Sequence, residues 1–267
     1  MPILILIAAL AWAARAAQAA APPPQPDRQG SVVPLPCLDC HSDKINQAEF
    51  AAGAHAVLEC GGCHDVTRFP HEPRPAKPRC VTCHESQVKQ YSISVHGRSR
   101  LNGHRGAASC RDCHGNVHSL KKASDPASLV SKANLPQTCG NCHSNPEIVG
   151  KFNIPIARPL EAYQRSVHAR AIRRGAVTTP ACSDCHGSHE LFPAADLRSK
   201  VHRARVPSTC GVCHGEIAAV YRQSVHGRAA ARGVSGVPVC TDCHGEHAIR
   251  SHTDPSAATY ATRVSAD

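Results

Sequence analysis

The stretch Cys182-Ser183-Asp184-Cys185-His186 holds two cysteines separated by two residues, with a histidine directly after the second one. This CXXCH pattern occurs eight times, and the eight copies use all sixteen cysteines of the chain. We number the copies motifs 1 to 8 by their histidines, which are His41, His64, His84, His114, His143, His186, His214 and His244. Because no cysteine is left over, the motif is the repeating chemical element of the chain.

CXXCH is the pattern of c-type haem attachment, in which two thiols bind the haem covalently and the histidine becomes the proximal iron ligand. The sequence therefore predicts eight covalent c-type haems, with the eight motif histidines as proximal ligands. The predicted attachment residues are Cys37, Cys40, Cys60, Cys63, Cys80, Cys83, Cys110, Cys113, Cys139, Cys142, Cys182, Cys185, Cys210, Cys213, Cys240 and Cys243. Zinc ribbons and disulfide scaffolds also use paired cysteines, but neither explains a histidine after every pair.

The composition agrees with a chain that folds around a large cofactor. Leu, Ile, Val and Phe make up only about 18% of the residues, a fraction typical of chains that cannot bury enough apolar surface to fold. Eight haem macrocycles would supply the apolar faces that the polypeptide lacks. We therefore expect folding to be coupled to haem attachment, as small metal domains fold on their metal.

The first 36 residues differ in character from the rest. An apolar run at 3–14 and the small-residue site Ala17-Gln18-Ala19 indicate a signal peptide over residues 1–19, although no basic residue precedes the run. Residues 20–36 are rich in proline and are predicted to form a linker. We expect an exported protein, located in the periplasm or at the extracellular cell surface.

The formal charge of +10 does not indicate nucleic-acid binding, because the chain lacks the interleaved aromatic residues on which bases stack. The haems would bring about sixteen propionate charges, two from each macrocycle. We expect arginines along the chain, such as Arg98, Arg170 and Arg228, to pair with these propionates.

From Cys37 onward the chain repeats in four two-motif units, predicted at 37–71, 80–118, 139–189 and 210–252, within one domain spanning 37–267. In units 2 to 4, a Ser-Val-His sequence lies between the two motifs, and its histidine precedes the next motif by fourteen positions each time. A further histidine follows the second motif of each unit. Unit 1 is degenerate, with Phe50–His55 in place of the Ser-Val-His stretch and a proline-rich run around His71.

These recurring histidines are the predicted distal iron ligands, because imidazole is a favoured ligand of iron. We call His55, His96, His168 and His226 the corner histidines, and His71, His118, His189 and His247 the post-motif histidines. Their number matches the eight irons, which favours saturated bis-histidine haems. Which iron each of them binds cannot be deduced from the spacing.

The chain resembles the multihaem c-type cytochromes, specifically an octahaem member, from Cys37 to about His252. The resemblance implies electron transfer along closely spaced haems, between a membrane redox partner such as a quinol-oxidising cytochrome and a periplasmic or extracellular acceptor. The modules Ser-X-His-X-Arg and Cys-His-Gly-X-His are also similar to parts of the octahaem hydroxylamine-oxidising and nitrite- or tetrathionate-reducing enzymes. An enzyme of that kind needs one open haem, whereas no motif of this chain has lysine in place of its histidine and candidate distal ligands are plentiful. We therefore expect an electron-transfer protein and predict no catalytic residue.

The predicted fold class is mainly irregular and α-helical, with short helices and loops wrapped around eight stacked haems and little β structure. Helices are predicted over 85–98 and 216–232, with weaker ones over 44–58 and 159–174, and a loop over the insertion 144–160. His104, His202 and His252 have no place in the repeat. These three histidines are either exposed to solvent or replacements for the weak ligands of unit 1. A further hypothesis for His252, in the C-terminal tail, is a head-to-tail contact with the first haem of a neighbouring subunit, which would build a filament or other oligomer.

Overall fold

The computed structural model describes residues 37–64, 78–155 and 158–264, all of which belong to one unit at 35–267. The predicted signal peptide, the linker and His71 lie outside the described residues. The α-helices are short: α1 Leu38–His41, α2 Gln47–Ala51, α3 Glu85–Ile93, α4 Val95–Leu101, α5 Cys110–His114, α6 Leu135–His143, α7 Pro146–Lys151, α8 Pro159–Gln164, α9 Val167–Arg173, α10 Cys182–His186, α11 Val206–Gly211, α12 Gly215–Gln223, α13 Val225–Ala231, α14 Cys240–His244 and α15 Ala261–Val264.

Turns and irregular segments connect these helices, with 3₁₀ turns at Cys60–Gly62, Cys80–Thr82 and Arg203–Arg205. No β-strand occurs among the described residues, so the helical and irregular class is confirmed at that level. No helix in the described ranges is long and apolar enough to cross a membrane.

The long helices predicted from the sequence are each broken at a serine. The stretch 85–98 divides into α3 and α4 at Ser94, and 216–232 divides into α12 and α13 at Ser224. Each of these serines has an extended backbone and accepts a hydrogen bond at Oγ from the N–H three residues later, which starts a new helix. The prediction of continuous helices was therefore wrong, because a serine can cap a helix as well as lie within one.

Unit 3 has the same helix break between α8 and α9, where the side chain of Ser166 caps α9 by accepting a hydrogen bond from the N–H of Ala169. The insertion before it, predicted as a loop, contains helix α7. The side chain of Asn145 caps this helix by accepting hydrogen bonds from the N–H groups of Glu147 and Ile148. Local capping therefore produces regular structure in a segment whose prolines indicated a loop.

Small side chains dominate the buried part of the described chain. The buried apolar residues are Ala107, Ala169, Ala181, Val206, Ala218, Val239 and Ala257, and the fully buried residues include Ser94, Ser166 and Ser199. Large apolar side chains such as Val57, Val177 and Val212 remain more than three-quarters exposed to solvent. The polypeptide thus forms no large hydrophobic core of its own within the described ranges, in keeping with its composition.

Candidate functional site

Three of the motifs that close a unit, motifs 4, 6 and 8, form the one-turn helices α5, α10 and α14. In each, the aspartate within the motif accepts a hydrogen bond from the N–H of the residue before the first cysteine. The three bonds are Ser109 to Asp112 at 2.7 Å, Ala181 to Asp184 at 2.8 Å and Val239 to Asp242 at 2.6 Å. These carboxylates therefore cap the turn that holds the two thiols one helical turn apart.

A tyrosine in each of units 2 to 4 holds the segment that leads into the same helices. The hydroxyls of Tyr91, Tyr163 and Tyr221 donate to the carbonyls of Ala108, Pro180 and Pro238, at 2.7, 2.7 and 3.0 Å. Each acceptor lies two residues before the first cysteine of the closing motif. Burial raises the pKa of all three phenols, which therefore stay protonated as donors. These three tyrosines occupy equivalent positions of units 2 to 4 in the sequence, but their hydrogen bonds could not be deduced from it.

The two motifs of a unit lie side by side. Their first cysteines are close enough to interact electrostatically, which places Cys37 beside Cys60, Cys80 beside Cys110, Cys139 beside Cys182, and Cys210 beside Cys240. Burial and the neighbouring Cys240 raise the pKa of Cys210 to about 11. Between units, Cys113 lies within electrostatic range of Cys142, and Cys185 of Cys213. Motifs 3 to 8 therefore follow one another in space in the order of the sequence.

No disulfide links any two of the sixteen cysteines. Among the described residues, no group of three or more histidine, cysteine, aspartate or glutamate side chains converges as a metal cage would require.

The histidines, in contrast, meet in pairs, and each pair joins a motif histidine to a corner or post-motif histidine. The ring-centre distances range from 5.8 to 6.3 Å. The six pairs are His55–His84, His64–His118, His96–His143, His114–His189, His168–His214 and His186–His247. They involve motifs 2 to 7 and six of the eight predicted distal ligands.

This separation fits two imidazoles on opposite sides of one iron. A metal–imidazole bond is about 2 Å long and a ring centre lies roughly 1 Å behind its nitrogen, so two axial imidazoles have ring centres about 6 Å apart. Direct stacking of two rings, by comparison, would bring their centres closer together. The pairs are therefore spaced as the ligands of a six-coordinate haem iron would be.

The pairing follows a rule that the sequence did not reveal. In units 1 to 3 the corner histidine faces the first motif histidine of the next unit, as His96 faces His143. In units 2 to 4 the post-motif histidine faces the second motif histidine of the preceding unit, as His189 faces His114. Every pair therefore links two neighbouring units, and none lies within a single unit.

Burial favours the neutral form of several paired imidazoles. Burial, together with the neighbouring histidine rings, lowers the pKa of His186 to about 4, and it lowers the pKa values of His96, His114, His118, His143 and His168. A neutral imidazole has the free lone pair that an iron ligand needs.

The remaining predicted ligands are placed differently. His226 is exposed, and neither it nor His244 faces another imidazole in the part of the chain that the structure describes. Among the surplus histidines, His104 contacts Phe152 edge to face, and His202 Nδ1 accepts a hydrogen bond from the N–H of Ala204. His252 forms no ring contact within the same ranges.

Comparison of the chain with protein-family models, with curated proteins and with solved structures gives no match.

Proposed function

We propose that the chain binds eight c-type haems covalently and transfers electrons along them. The observation that carries this proposal is the set of six imidazole pairs, each spaced to hold one iron and each including the histidine of a CXXCH motif. A haem with two imidazole ligands has no open position for a substrate, so it suits electron transfer rather than catalysis.

The arrangement of the motifs supports a continuous path. Within each of units 2 to 4, the first cysteines of the two motifs are neighbours. Between these units, Cys113 lies near Cys142 and Cys185 near Cys213, so the neighbouring motifs continue from unit 2 to unit 4. At roughly thirty residues per haem, the protein between neighbouring macrocycles is thin. The chain would wrap around a stack of haems. The haem faces would then cover exposed apolar residues such as Val212 and Ile217.

The proposed role is a relay that carries electrons from a membrane redox partner, such as a quinol-oxidising cytochrome, to a periplasmic or extracellular acceptor. The export signal predicted at 1–19 supports this location, since c-type haem is attached outside the cytoplasmic membrane in the family that the chain resembles.

The test is to express the full chain with its export signal in a host that attaches c-type haem. The absorption of the reduced protein, the haem-to-protein ratio and a stepwise redox titration then measure the proposed function. We expect eight haems that are reduced and reoxidised reversibly. A protein that carries zinc or disulfides instead of haem would contradict the proposal.

A multihaem redox enzyme is the second candidate, and His244 is the observation that favours it. No second imidazole faces this motif histidine among the described residues, so its haem is the candidate for an open iron. Nitrite or hydroxylamine added to the purified protein would change the spectrum of one high-spin haem if the protein is such an enzyme. Unchanged spectra would favour the relay.

A further inference from the structure

A basic side chain bridges the two motifs within each of units 3 and 4. In unit 4, Arg203 forms a bidentate ion pair with the aspartate of motif 8, with Nη1 and Nη2 each 2.9 Å from an oxygen of Asp242. Its Nη2 also donates to the carbonyl of Val237 at 2.6 Å. Arg203 lies in the 3₁₀ turn that leads into motif 7, so this contact ties the two motifs of the unit together.

Lys132 makes the same two contacts in unit 3. Its Nζ lies 3.4 Å from Oδ2 of Asp184 and donates to the carbonyl of Thr179 at 3.3 Å. Lys132 and Arg203 each precede the first cysteine of their unit by seven residues, and the two acceptor carbonyls each precede the first cysteine of the closing motif by three. The contact is therefore a feature of the repeat and not a chance pair on the surface.

Unit 2 supplies the cation from another position. The residue seven before its first cysteine is Pro73, which carries no charge and lies outside the described residues. Motif 4 instead has Arg111 directly before Asp112, within electrostatic range of that carboxylate, where motifs 6 and 8 have serine and threonine. Motif 2 has neither charge, because two glycines separate its cysteines and Gly30 precedes Cys37 by seven residues. Aspartate and cation therefore occur together in the motifs that close a unit.

Stability alone gives little reason for this pairing. All four side chains of the ion pairs Lys132–Asp184 and Arg203–Asp242 are more than a third exposed. Ion pairs exposed to this degree contribute little to the free energy of unfolding, because water screens them. The location of the charge matters more: each aspartate directly precedes the second thiol of its motif and lies two residues before the predicted iron ligand.

We propose that Arg203 and Lys132 set the reduction potentials of the haems on motifs 8 and 6 by neutralising the carboxylate that each motif carries. Reduction adds one electron to a ferric iron, so a negative charge nearby opposes reduction and a positive charge favours it. Because the haem would be bound through the thiols on either side of the aspartate, the carboxylate stays close to it. The inference rests on the proposed haem binding and adds two residues that lie outside the CXXCH motifs.

The test uses the full-length haem protein and four variants of unit 4. Arg203→Gln leaves the carboxylate of Asp242 unpaired, Asp242→Asn removes the negative charge and keeps an oxygen that can cap the turn, and the double variant removes both charges. Arg203→Lys keeps the positive charge, and unit 3 shows that a lysine at this position makes both contacts. The control is Arg205→Gln, which removes the same charge from the same 3₁₀ turn, because Arg205 forms no hydrogen bond with Asp242.

Haem content is measured first, because a protein without haem contradicts the proposed function rather than this inference. Potentiometric titration then compares each variant with the wild type, and the difference should amount to one haem in eight. At a fixed potential, Arg203→Gln should raise the ferric-to-ferrous ratio of that haem by at least about threefold, and Asp242→Asn should lower it. The double variant should return close to the wild type, Arg203→Lys should match it, and Arg205→Gln should shift the ratio less than Arg203→Gln does.

The opposite signs separate an effect of charge from an effect of structure. A loosened turn would admit water in both single variants and shift the potential in the same direction, and the double variant would not be restored. Lys132→Gln repeats the test at motif 6, where the single contact at 3.4 Å predicts a smaller shift than at motif 8. An eight-haem Arg203→Gln protein with an unchanged titration, or a shift of the same sign in Asp242→Asn, would overturn the inference.

Discussion

The ring centres of His168 and His214 lie 6.3 Å apart although the two residues belong to different units. His168 reaches this position because Ser166 ends one helix and caps the next, which turns the chain just before the histidine. His214 closes motif 7 at the start of unit 4. A locally encoded helix break thus places one imidazole, a motif of the following unit places the other, and the pair lies at the junction of the two units.

The first prediction concerns cofactor content. The exported chain, cleaved after Ala19, should carry eight covalent haems, because each motif presents two thiols one turn apart and one histidine. Intact-protein mass spectrometry measures the number directly. Seven haems or fewer in a fully processed sample would contradict the assignment of all eight motifs.

The second prediction concerns the pairing rule. His168→Ala should convert one haem in eight to high-spin iron, because it removes the imidazole facing His214. The double variant His168→Ala/His247→Ala should convert two, since His247 faces a different motif histidine, His186. Electron paramagnetic resonance counts the converted irons, and His104→Ala serves as the control that should convert none. A double variant with a single high-spin haem would show that the two histidines serve the same iron.

The third prediction concerns the tyrosine brace, by which we mean the hydrogen bond from a tyrosine hydroxyl to the carbonyl two residues before the closing motif of its unit. Tyr163→Phe should lower the free energy of unfolding by about 0.5–1.5 kcal/mol, since it removes the hydrogen bond to Pro180 and keeps the ring. Tyr260→Phe is the matched control, because the Tyr260 hydroxyl has no hydrogen bond within the described residues. Thermal or denaturant unfolding of the haem protein measures both. Equal stability of the two variants would argue against the brace.

The fourth prediction concerns the helix break. A Cβ atom added at Gly97 would lie 1.9 Å from the carbonyl oxygen of Tyr91, so Gly97→Ala should destabilise the protein by about 1–3 kcal/mol. Unit 3 carries Ala169 at the equivalent position and accommodates its Cβ. The reason is that α8 ends one residue after Tyr163, whereas α3 ends two residues after Tyr91.

Gly150→Ala is the control for this substitution, because Gly150 lies in α7 with no atom within 4 Å of the added Cβ. Alanine should stabilise the helix there by up to about 1 kcal/mol. Denaturant unfolding of both variants should give shifts of opposite sign, and a neutral Gly97→Ala would show that α3 can shorten as α8 does.

The fifth prediction concerns acid stability. Hydrogen bonds from the Oγ and N–H of Ser109 hold the pKa of Asp112 below its ordinary value. A lowered folded pKa contributes stability that is complete above the unfolded value of about 3.9 and is lost as the pH falls through the folded value. Asp112→Asn should therefore be less stable than the wild type near neutral pH, and the difference should vanish in strong acid. If the difference in the free energy of unfolding between Asp112→Asn and the wild type were constant across the acid range, the ionisation of Asp112 would have no role in stability.

The sequence alone carries the prediction of covalent haem attachment and names the residues for it. Motifs, spacing and recurrence need no long-range contact, so the eight motifs and the recurring histidines could both be identified from the chain. It also predicted the helical class, because the periodicity and turn residues are local signals. The predicted helix ends were wrong, because Ser94 and Ser224 could each either continue a helix or cap a new one. Only the packing around these serines decides between the two.

The tertiary structure decided which histidine faces which motif. His96 precedes Cys110 by fourteen residues, yet it faces His143 of the next unit. Such pairing depends on how successive units stack, which is set by contacts such as the hydrogen bond from Val95 to Leu191. Spacing along the chain carries no information about those contacts, because the direction of the chain after each helix break is fixed only when the neighbouring unit packs against it.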